Sequence, residues 1–286
     1  MNSPVARPRA QARTSRAVVA GVDTWKTSPT FRLSSFDPSS TPGAPDGDRN
    51  KTEKASAELR NRLRDLHGRL IGEKQRSVLV VLQAMDGGGK DGTVKSLYLG
   101  LNPADASVQS FTVPSEEELA HDFLWRIHAR VPKRGTVGLF NRSHYEDVLA
   151  VRVRNIEPKS VWEPRFNAIN EFEHVLHSSG STVVKIMLHI SKDQQRERLQ
   201  ARIDRPDKRW KFRTGDLEDR ELWIEYQEAY EDAIRRTTTP HAPWYVVPAD
   251  KKWYRDFATL TILVNTLEAM KPEYPLRPEL DGIVVP

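Results

Sequence analysis

Apolar residues recur at two different spacings along the chain, and these spacings predict two kinds of element. Leu63, Leu66 and Leu70 repeat every three or four residues with charged residues between them, as on one face of an amphipathic helix. Continuous aliphatic and β-branched runs at 78–84 and 182–190 are instead typical of strands that are buried on both faces of a sheet. The chain therefore contains both helices and fully buried strands.

Predicted strands and helices alternate along most of the chain. Further strand patterns occur at 106–113, 136–140 and 244–247, and helix patterns occur at 50–73, 90–101, 115–131, 158–177, 191–202, 216–236 and 251–270. Strands that are separated by helices pair in parallel and are covered on both faces. We therefore predict an α/β fold of the P-loop kinase type, a three-layer α/β/α arrangement with a parallel central sheet and a helical lid. Ligands should bind at the carboxyl ends of the strands.

The amino-terminal part of the chain differs in composition from the rest. Residues 1–50 are rich in Ser, Pro, Arg, Thr and Ala and show little periodicity. We interpret residues 1–36 as a disordered basic tail, because such a segment has little apolar surface to bury. Residues 37–286 are predicted to form a single domain with a lid around 196–220.

Charge and composition narrow the functional classes. A net charge of +5 and a pI of about 9.3 favour a polyanionic partner, such as nucleic acid, an acidic membrane surface or a phosphate-rich substrate. The absence of cysteine excludes a disulfide framework, thiolate metal sites and a cysteine nucleophile. No apolar run approaches the length of a membrane span, and the amino terminus lacks the apolar core of a signal peptide. We expect a cytoplasmic protein without a membrane partner.

The stretch 77–93 reads SVLVVLQAMDGGGKDGT and combines three features of a phosphate-binding loop. A buried strand leads into three consecutive glycines, and Lys90 opens a helix-compatible segment. Backbone N–H groups of such a loop and the positive end of the helix converge on an anion, and the lysine adds a point charge. The residues predicted to bind phosphate are Gly87, Gly88, Gly89, Asp91, Gly92 and Thr93. The pattern indicates phosphoryl transfer.

This loop departs from the usual G-x-x-x-x-G-K-[ST] pattern at two positions. Ala84 stands where the first glycine is expected, and Asp91 stands where the hydroxyl ligand of Mg²⁺ is expected. Asp86 also lies inside the loop, where a carboxylate repels phosphate unless a cation lies between them. Asp86 is therefore interpreted as a Mg²⁺ ligand or a positioning group. The alternative is a plain polar turn between a strand and a helix, in which Asp and Gly are common.

A second cluster of polar residues follows the predicted strand at 136–140. Arg142 can reach a transferring phosphate, and Glu146 and Asp147 are candidate ligands of a metal or a nucleotide. The alternative is a helix start, because Ser143 and Glu146 have the spacing of a capping box. A general-base role for His144, in the same cluster, is disfavoured because phosphoryl transfer depends mainly on positioning and charge neutralisation.

The segment 196–213 is the most basic part of the chain. It contains eight Arg and Lys against three Asp and Glu, and its net charge of +5 equals that of the whole chain. In a kinase-like fold, a helix followed by a basic loop is typical of a lid that closes over phosphates. The alternative is a solvated helix face with charge pairs. Nucleic-acid binding is disfavoured, because only Trp210 and Phe212 are available for stacking bases.

Five long motifs together resemble the family 2 polyphosphate kinases. They read LQAMDGGGKDGT, HDFLWRIH, GLFNRSHYEDVLAVRV, RPDKRWKFRTGDLEDRELW and APWYVVPADKKWYRD, and the resemblance covers about 37–270. Within the family, 141–147 looks like the third class, whose members phosphorylate both AMP and ADP from polyphosphate. Members of the first two classes have an aspartate where this chain has Asn141, so one candidate Mg²⁺ ligand is missing.

The resemblance implies a role for individual residues. Asp86 would hold Mg²⁺, for which Mn²⁺ could substitute, and Lys90 and Arg142 would neutralise the transferring phosphoryl group. The residues implied for nucleotide binding are Asn141 and Glu146, with Glu146 linked to acceptance of the monophosphate. The residues implied for polyphosphate binding are Lys95, Arg202, Lys208 and Lys211. The resemblance also implies reversible transfer between polyphosphate and AMP, ADP or ATP, without a phospho-enzyme, and a homo-oligomer, either dimer or tetramer.

Two other functions fit parts of the same sequence. An ATP-dependent nucleoside monophosphate kinase would need the same loop and lid, and differs only in its phosphoryl donor. A non-enzymatic binder of polyphosphate or nucleic acid would need only the basic surface. The identity of the phosphoryl donor distinguishes the ATP-dependent kinase from a polyphosphate kinase. Replacing Asp86 distinguishes the binding protein, whose function should not depend on that carboxylate.

Overall fold

A five-stranded parallel sheet forms the centre of the molecule. The computed structural model describes residues 22–285. Its strands are β1 (Ser77–Gln83), β2 (Ala106–Ser110), β3 (Val137–Asn141), β4 (Ser181–His189) and β5 (Trp244–Pro248). They are arranged in the order β2-β3-β1-β4-β5, and every neighbouring pair is parallel.

Eleven α-helices connect and cover these strands within the described range. They are α1 (Arg49–Glu73), α2 (Lys90–Tyr98), α3 (Glu116–Leu119), α4 (Trp125–His128), α5 (Ala150–Val153), α6 (Lys159–Trp162), α7 (Arg165–Ser178), α8 (Lys192–Asp204), α9 (Gly215–Glu221), α10 (Trp223–Thr237) and α11 (Lys252–Met270). Between residues 22 and 285, no helix is both long and apolar enough to cross a lipid bilayer.

The alternating side chains of β1 divide the interior into two apolar cores. Val78, Val80 and Leu82 belong to the core that lies under α1, α2 and α11. Leu79 and Val81 point the other way, into the core formed with α7 and α10. A strand that is buried on both faces explains its unbroken apolar sequence. The predicted three-layer α/β/α fold with a parallel sheet is therefore confirmed.

Strand register brings the ends of β1 and β3 together. Leu82 pairs with Asn141 across these two strands, and the backbone N–H of Arg142 donates to the Leu82 carbonyl oxygen at 3.0 Å. Because both strands run in the same direction, the loops that follow them leave the same edge of the sheet. The glycine loop and the second polar cluster are thus neighbours in space.

The part of the predicted tail between residues 22 and 36 is packed against the domain. Trp25 is fully buried, and its Nε1–H donates to the Tyr254 hydroxyl at 2.8 Å. Leu33 lies in the core with α10, and the N–H of Thr27 donates to the Trp244 carbonyl oxygen. The prediction of a tail over 1–36 was therefore wrong for 22–36, because an irregular segment with two 3₁₀ turns buries single residues without periodicity. Residues 1–21 lie outside the described residues.

Three long helix predictions are each interrupted once. The segment 115–131 forms α3 and α4, although the predicted capping box of Ser115 and Glu118 is present. The segment 158–177 is divided at Pro164, which precedes α7. The segment 216–236 is divided at Leu222. Apolar periodicity did not locate these breaks, and α3 buries none of its residues.

Candidate active site

The glycine loop between β1 and α2 curves tightly at the carboxyl edge of the sheet. Gly87 and Gly89 have φ angles of 80° and 100°, in the left-handed region that suits glycine. Gly89 is the residue that caps α2, so the loop enters the helix directly. This arrangement leaves the positive end of α2 facing the edge of the sheet where the neighbouring loops meet.

Lys90 is the first residue of α2, and its side chain reaches back to the start of this loop. Its ammonium group is buried and donates to the carbonyl oxygen of Ala84 at 2.6 Å. Burial and the nearby positive charge of Arg142 lower the pKa of Lys90, whereas Asp86 opposes this effect. A lysine held against the loop in this way is available to exchange a carbonyl contact for a phosphate oxygen.

Asp86 and Arg142 connect the two loops. A guanidinium nitrogen of Arg142 donates to Asp86 Oδ1 at 2.8 Å, and the other terminal nitrogen lies 3.8 Å from Glu146 Oε2. Burial alone would raise the pKa of Asp86, but the charges of Lys90, Arg142 and Arg202 outweigh burial and lower it. Asp86 is therefore ionised at neutral pH, and its charge lies beside three cations.

Asp86 is also the side chain best suited to a divalent metal. Within residues 22–285, no group of three or more His, Cys, Asp or Glu is arranged to hold a metal ion. Mg²⁺ binds carboxylate oxygens, keeps several waters and completes its coordination with substrate phosphates. A single ionised carboxylate at a phosphate loop fits that pattern, so Asp86 remains the candidate protein ligand.

Asp91 and Asn141 contact each other beside the loop. Asn141 Nδ2 donates to Asp91 Oδ1 at 2.9 Å, and Lys211 Nζ lies 3.2 Å from Asp91 Oδ2. Thr93 is buried, and its hydroxyl donates to the Gly89 carbonyl oxygen at 3.3 Å. Asp91 thus links the glycine loop to the loop after β3 and to the basic segment, whereas the hydroxyl of Thr93 is used within its own helix.

The predicted polyphosphate-binding residues Arg202, Lys208 and Lys95 differ in their surroundings. Arg202 pairs with Asp216 at 3.1 Å and is close enough to lower the pKa of Asp86. Lys208 is near Lys252, whose pKa is lowered by burial and by the surrounding cations. Lys95 is exposed on α2, one helical turn after Asp91.

The loop after β3 differs from the capping box that was the alternative for this segment. It forms a 3₁₀ turn over His144–Asp147, and the Ser143 hydroxyl accepts from the N–H of Tyr145 rather than from that of Glu146. Glu146 is left facing Arg142. His144 is fully buried, with Nε2 lying 3.4 Å from Glu173. It therefore points away from the cleft, against a role as general base.

Comparison with known proteins identifies the family. A model of the family described as polyphosphate kinase 2 matches residues 46–275. The chain belongs to the polyphosphate kinase 2 family. It is 55% identical over 249 residues to the AMP/ADP-polyphosphate phosphotransferase of Meiothermus ruber, covering 87% of this chain and 92% of that relative. It is 44% identical over 226 residues to the ADP-polyphosphate phosphotransferase of Rhodopseudomonas palustris, covering 75% and 78%.

Solved structures of this family share the fold. The crystal structure of polyphosphate kinase 2 from Arthrobacter aurescens TC1 matches with a TM-score of 0.85 at 40% identity, covering 91% of this chain and 95% of that one. The structure of putative polyphosphate kinase 2 from Pseudomonas aeruginosa matches with a TM-score of 0.77 at 31% identity, covering 83% and 50%. The resemblance inferred from the motifs is thus confirmed.

Arg198 is a site residue of this polyphosphate kinase 2 chain that the sequence did not single out. Its guanidinium donates to the carbonyl oxygens of Gly87 at 2.9 Å and Gly88 at 3.2 Å. The same group donates to the carbonyl oxygens of Ala249 at 2.5 Å and Asp250 at 2.8 Å. Burial lowers the pKa of Arg198 to about 10, which leaves it charged at neutral pH. Arg198 therefore fastens α8 to the glycine loop and to the loop after β5.

Arg255 is a second buried arginine, and it lies directly beside the glycine loop. A Cβ atom at Gly89 would lie 2.2 Å from an Arg255 nitrogen, and one at Gly92 would lie 2.9 Å from the other. Arg255 also pairs with Asp256 at 2.6 Å. Both glycines therefore make room for this guanidinium. The signal for Arg255 was its place in the fifth family motif, which carried no individual assignment.

Proposed function

We propose that this chain transfers the terminal phosphoryl group of inorganic polyphosphate to AMP and ADP, reversibly and with Mg²⁺. The observation that carries this proposal is the 2.8 Å contact between Asp86 and Arg142, which joins the two loops beside Lys90. Polyphosphate as donor, and AMP and ADP as acceptors, are supported by the relative named AMP/ADP-polyphosphate phosphotransferase, to which the chain is 55% identical.

Charge neutralisation is the proposed basis of catalysis. Phosphoryl transfer needs the donor, the acceptor and the leaving oxygen in line, with their negative charge compensated. Lys90 and Arg142 are proposed to contact the transferring group, after leaving their present partners, the Ala84 carbonyl and Asp86. Asp86 would hold Mg²⁺, or Mn²⁺ as a substitute, and the metal would supply charge compensation between phosphate oxygens. Transfer is proposed to be direct, without a phospho-enzyme.

The glycine loop is proposed to bind the phosphates that remain. Its backbone N–H groups and the positive end of α2 are directional donors toward an anion. The residues assigned to this cradle are Gly87, Gly88, Gly89, Asp91, Gly92 and Thr93. Asp91 and Thr93 are assigned to its frame, because Asp91 pairs with Lys211 and the Thr93 hydroxyl is bound to the Gly89 carbonyl.

The basic segment is proposed to guide the polyphosphate chain as a lid around 196–220. Polyphosphate is a linear polyanion, and cations at intervals can hold it while it advances. The residues assigned to this role are Lys95, Arg202, Lys208 and Lys211. Because Lys211 and Arg202 are paired with Asp91 and Asp216, an arriving polyanion would exchange these carboxylates for its own phosphates. A single domain, a homo-oligomer and a cytoplasmic location are further proposals.

Asn141 and Glu146 are proposed to select the acceptor. Both follow β3 at the edge of the site, and Glu146 lies near the guanidinium of Arg142. Replacing Glu146 with lysine should reverse the charge beside the acceptor and change the ratio of AMP to ADP turnover by about tenfold. If the folded variant has an unchanged ratio of AMP to ADP turnover, Glu146 does not select the acceptor.

The donor distinguishes this function from its alternatives. Purified protein is mixed with AMP, long-chain polyphosphate and Mg²⁺ in the absence of ATP, and nucleotides are separated by ion-exchange chromatography. ADP should appear first and ATP second. Absence of both would refute the proposal. ADP formed only when ATP replaces polyphosphate would identify a nucleoside monophosphate kinase, and polyphosphate binding without any product would identify a binding protein.

A further inference from the structure

A buried ionic network lies directly beneath the loop after β3. Its members, here called the buried network, are Tyr145, Glu173 on α7 and Lys185 on β4. Lys185 Nζ donates to Glu173 Oε2 at 2.6 Å and to the Tyr145 hydroxyl at 3.0 Å, and that hydroxyl donates to Glu173 Oε1 at 2.8 Å. All three side chains are fully buried.

The rest of the core closes around this network. Lys185 Nζ makes a further hydrogen bond to the Thr237 carbonyl oxygen at 2.6 Å, and it lies 5.5 Å from the ring centres of Tyr145 and Trp244. Burial opposes the charge on Glu173, but Lys185 and His144 outweigh this effect and lower the pKa of the carboxyl group. The carboxylate is thus held ionised in the interior.

Stability alone gives little reason for such a pair in a protein core. Removing two charges from water costs several kcal/mol each, and apolar residues of similar volume are often as stabilising as a buried ion pair. The position of the pair is more informative than its energy. Tyr145 belongs to the short turn His144–Asp147, so the buried network is attached to the backbone that carries the polar loop.

Side chains of this loop are divided between the core and the cleft. His144 and Tyr145 point down into the core, whereas Arg142 and Glu146 point toward the glycine loop. Arg142 has a φ of 64°, in the left-handed region that costs energy for any residue other than glycine. Such a conformation persists only where surrounding contacts impose it, and the Tyr145 anchor lies three residues away.

We propose that Tyr145, Glu173 and Lys185 are positioning residues, which fix Arg142 and Glu146 at the distances that transfer requires. This inference rests on the proposed phosphotransferase function. Displacement of a catalytic group by about 1 Å can cost about 100-fold in rate. Loss of the Tyr145 anchor should therefore slow turnover without removing any group that contacts substrate.

Replacement of Tyr145 with phenylalanine tests the anchor with the smallest change. The variant loses one hydroxyl and its two contacts, and kcat should fall by about tenfold while KM for polyphosphate and ADP stays within about twofold. Tyr254→Phe is the matched control, because its buried hydroxyl also has two partners, Trp25 and the Pro42 carbonyl oxygen, and lies in the apolar core on the opposite face of the sheet. That control should lose stability and retain kcat.

A double replacement separates positioning from stability. Glu173→Leu combined with Lys185→Met removes both charges together and should leave the thermal midpoint close to that of the parent protein. We expect the kcat of this double variant to be at least about tenfold lower than that of the parent protein, because the Tyr145 hydroxyl then has no ionic partners. Recovery of kcat together with stability would assign the network a structural role only. If the double variant fails to fold, the kcat of Tyr145→Phe alone tests whether the buried network positions the loop.

The parent protein in the same assay keeps the two proposals apart. Lack of polyphosphate-dependent turnover in the parent would refute the proposed function. An active parent whose Tyr145→Phe variant keeps full kcat, at an unchanged or lowered thermal midpoint, would refute the positioning role and leave the function intact.

Discussion

The two loops of the site leave neighbouring parallel strands, yet they are held by opposite means. The loop after β1 contains three consecutive glycines, and Arg198 fixes it by hydrogen bonds to the carbonyl oxygens of Gly87 and Gly88, while Arg255 lies beside Gly89. The loop after β3 has no glycine over 139–147 and is anchored by side chains buried beneath it. The loop after β1 presents backbone N–H groups to the cleft and is supported by side chains from other elements. The loop after β3 presents side chains to the cleft and is held by its own side chains that point into the core.

Asp86 in the first loop and Asp147 in the second have pKa values that are shifted in opposite directions. Cations outweigh burial at Asp86 and lower its pKa. At Asp147, burial prevails over Arg165 and Arg126 and raises the pKa to about 6. One loop thus carries an ionised carboxylate beside three cations, whereas in the other loop burial favours the protonated form of Asp147.

The largest expected effect belongs to the carboxylate of the glycine loop. Asp86→Asn keeps the shape of the side chain but removes the charge that faces Lys90, Arg142 and Arg202. Turnover should fall by more than about 1,000-fold with the protein folded and still binding polyphosphate. Asp91→Asn should cost about tenfold or less, because Asp91 faces Asn141 and Lys211 instead. Equal losses in both variants would contradict the special role of Asp86.

External support of the glycine loop predicts the next largest effect. Arg198→Met removes four hydrogen bonds to backbone carbonyl oxygens of two loops. We expect kcat to fall by about 100-fold, together with a lower thermal midpoint. The control is Lys192→Met at the start of the same helix, where the side chain is exposed and activity should change less than about twofold. Similar kcat values and thermal midpoints in both variants would mean that the hydrogen bonds of Arg198 do not support the glycine loop.

A glycine comparison sharpens the same point through stability. Gly89→Ala introduces a Cβ 2.2 Å from Arg255 into a left-handed residue, and should lower the free energy of unfolding by about 3 kcal/mol. Gly47→Ala introduces a similar left-handed strain where no atom lies within 4 Å, and should cost only about 1 kcal/mol. Urea denaturation measures both. Equal losses in the free energy of unfolding would show that the Arg255 side chain moves aside without an energetic penalty.

The smallest expected effect is a pH dependence at the second loop. The raised pKa of Asp147 means that the folded state holds a proton between about pH 4 and 6 that the unfolded state has lost, so this group destabilises the fold as pH rises. Asp147→Asn removes that dependence. Relative to the parent protein, its free energy of unfolding should increase by about 2 kcal/mol from pH 4 to pH 7. A pH-independent difference would refute the raised pKa.

The sequence predicted the parts of the molecule that follow from local patterns. Buried strands have continuous apolar runs, and the glycine loop with Lys90 has a spacing that few other structures require. Arg198 could not be selected, because it is one of several similar cations in 196–213 and its partners lie more than 50 residues away in sequence. Trp25 was missed because it lies in an irregular segment, which buries residues without a regular spacing. The inward orientation of Tyr145 depends on Lys185 and Glu173 from other elements.

Coupling between the two loops is the most direct measure of whether they form one site. Single-turnover transfer from polyphosphate to ADP is measured for Asp86→Asn, for Arg142→Met and for the double variant. If both residues act on one phosphoryl group, the double variant should be no slower than the slower single variant, within about threefold. Losses that multiply, so that the double variant is slower by the product of the two single effects, would contradict a common site at the 2.8 Å contact.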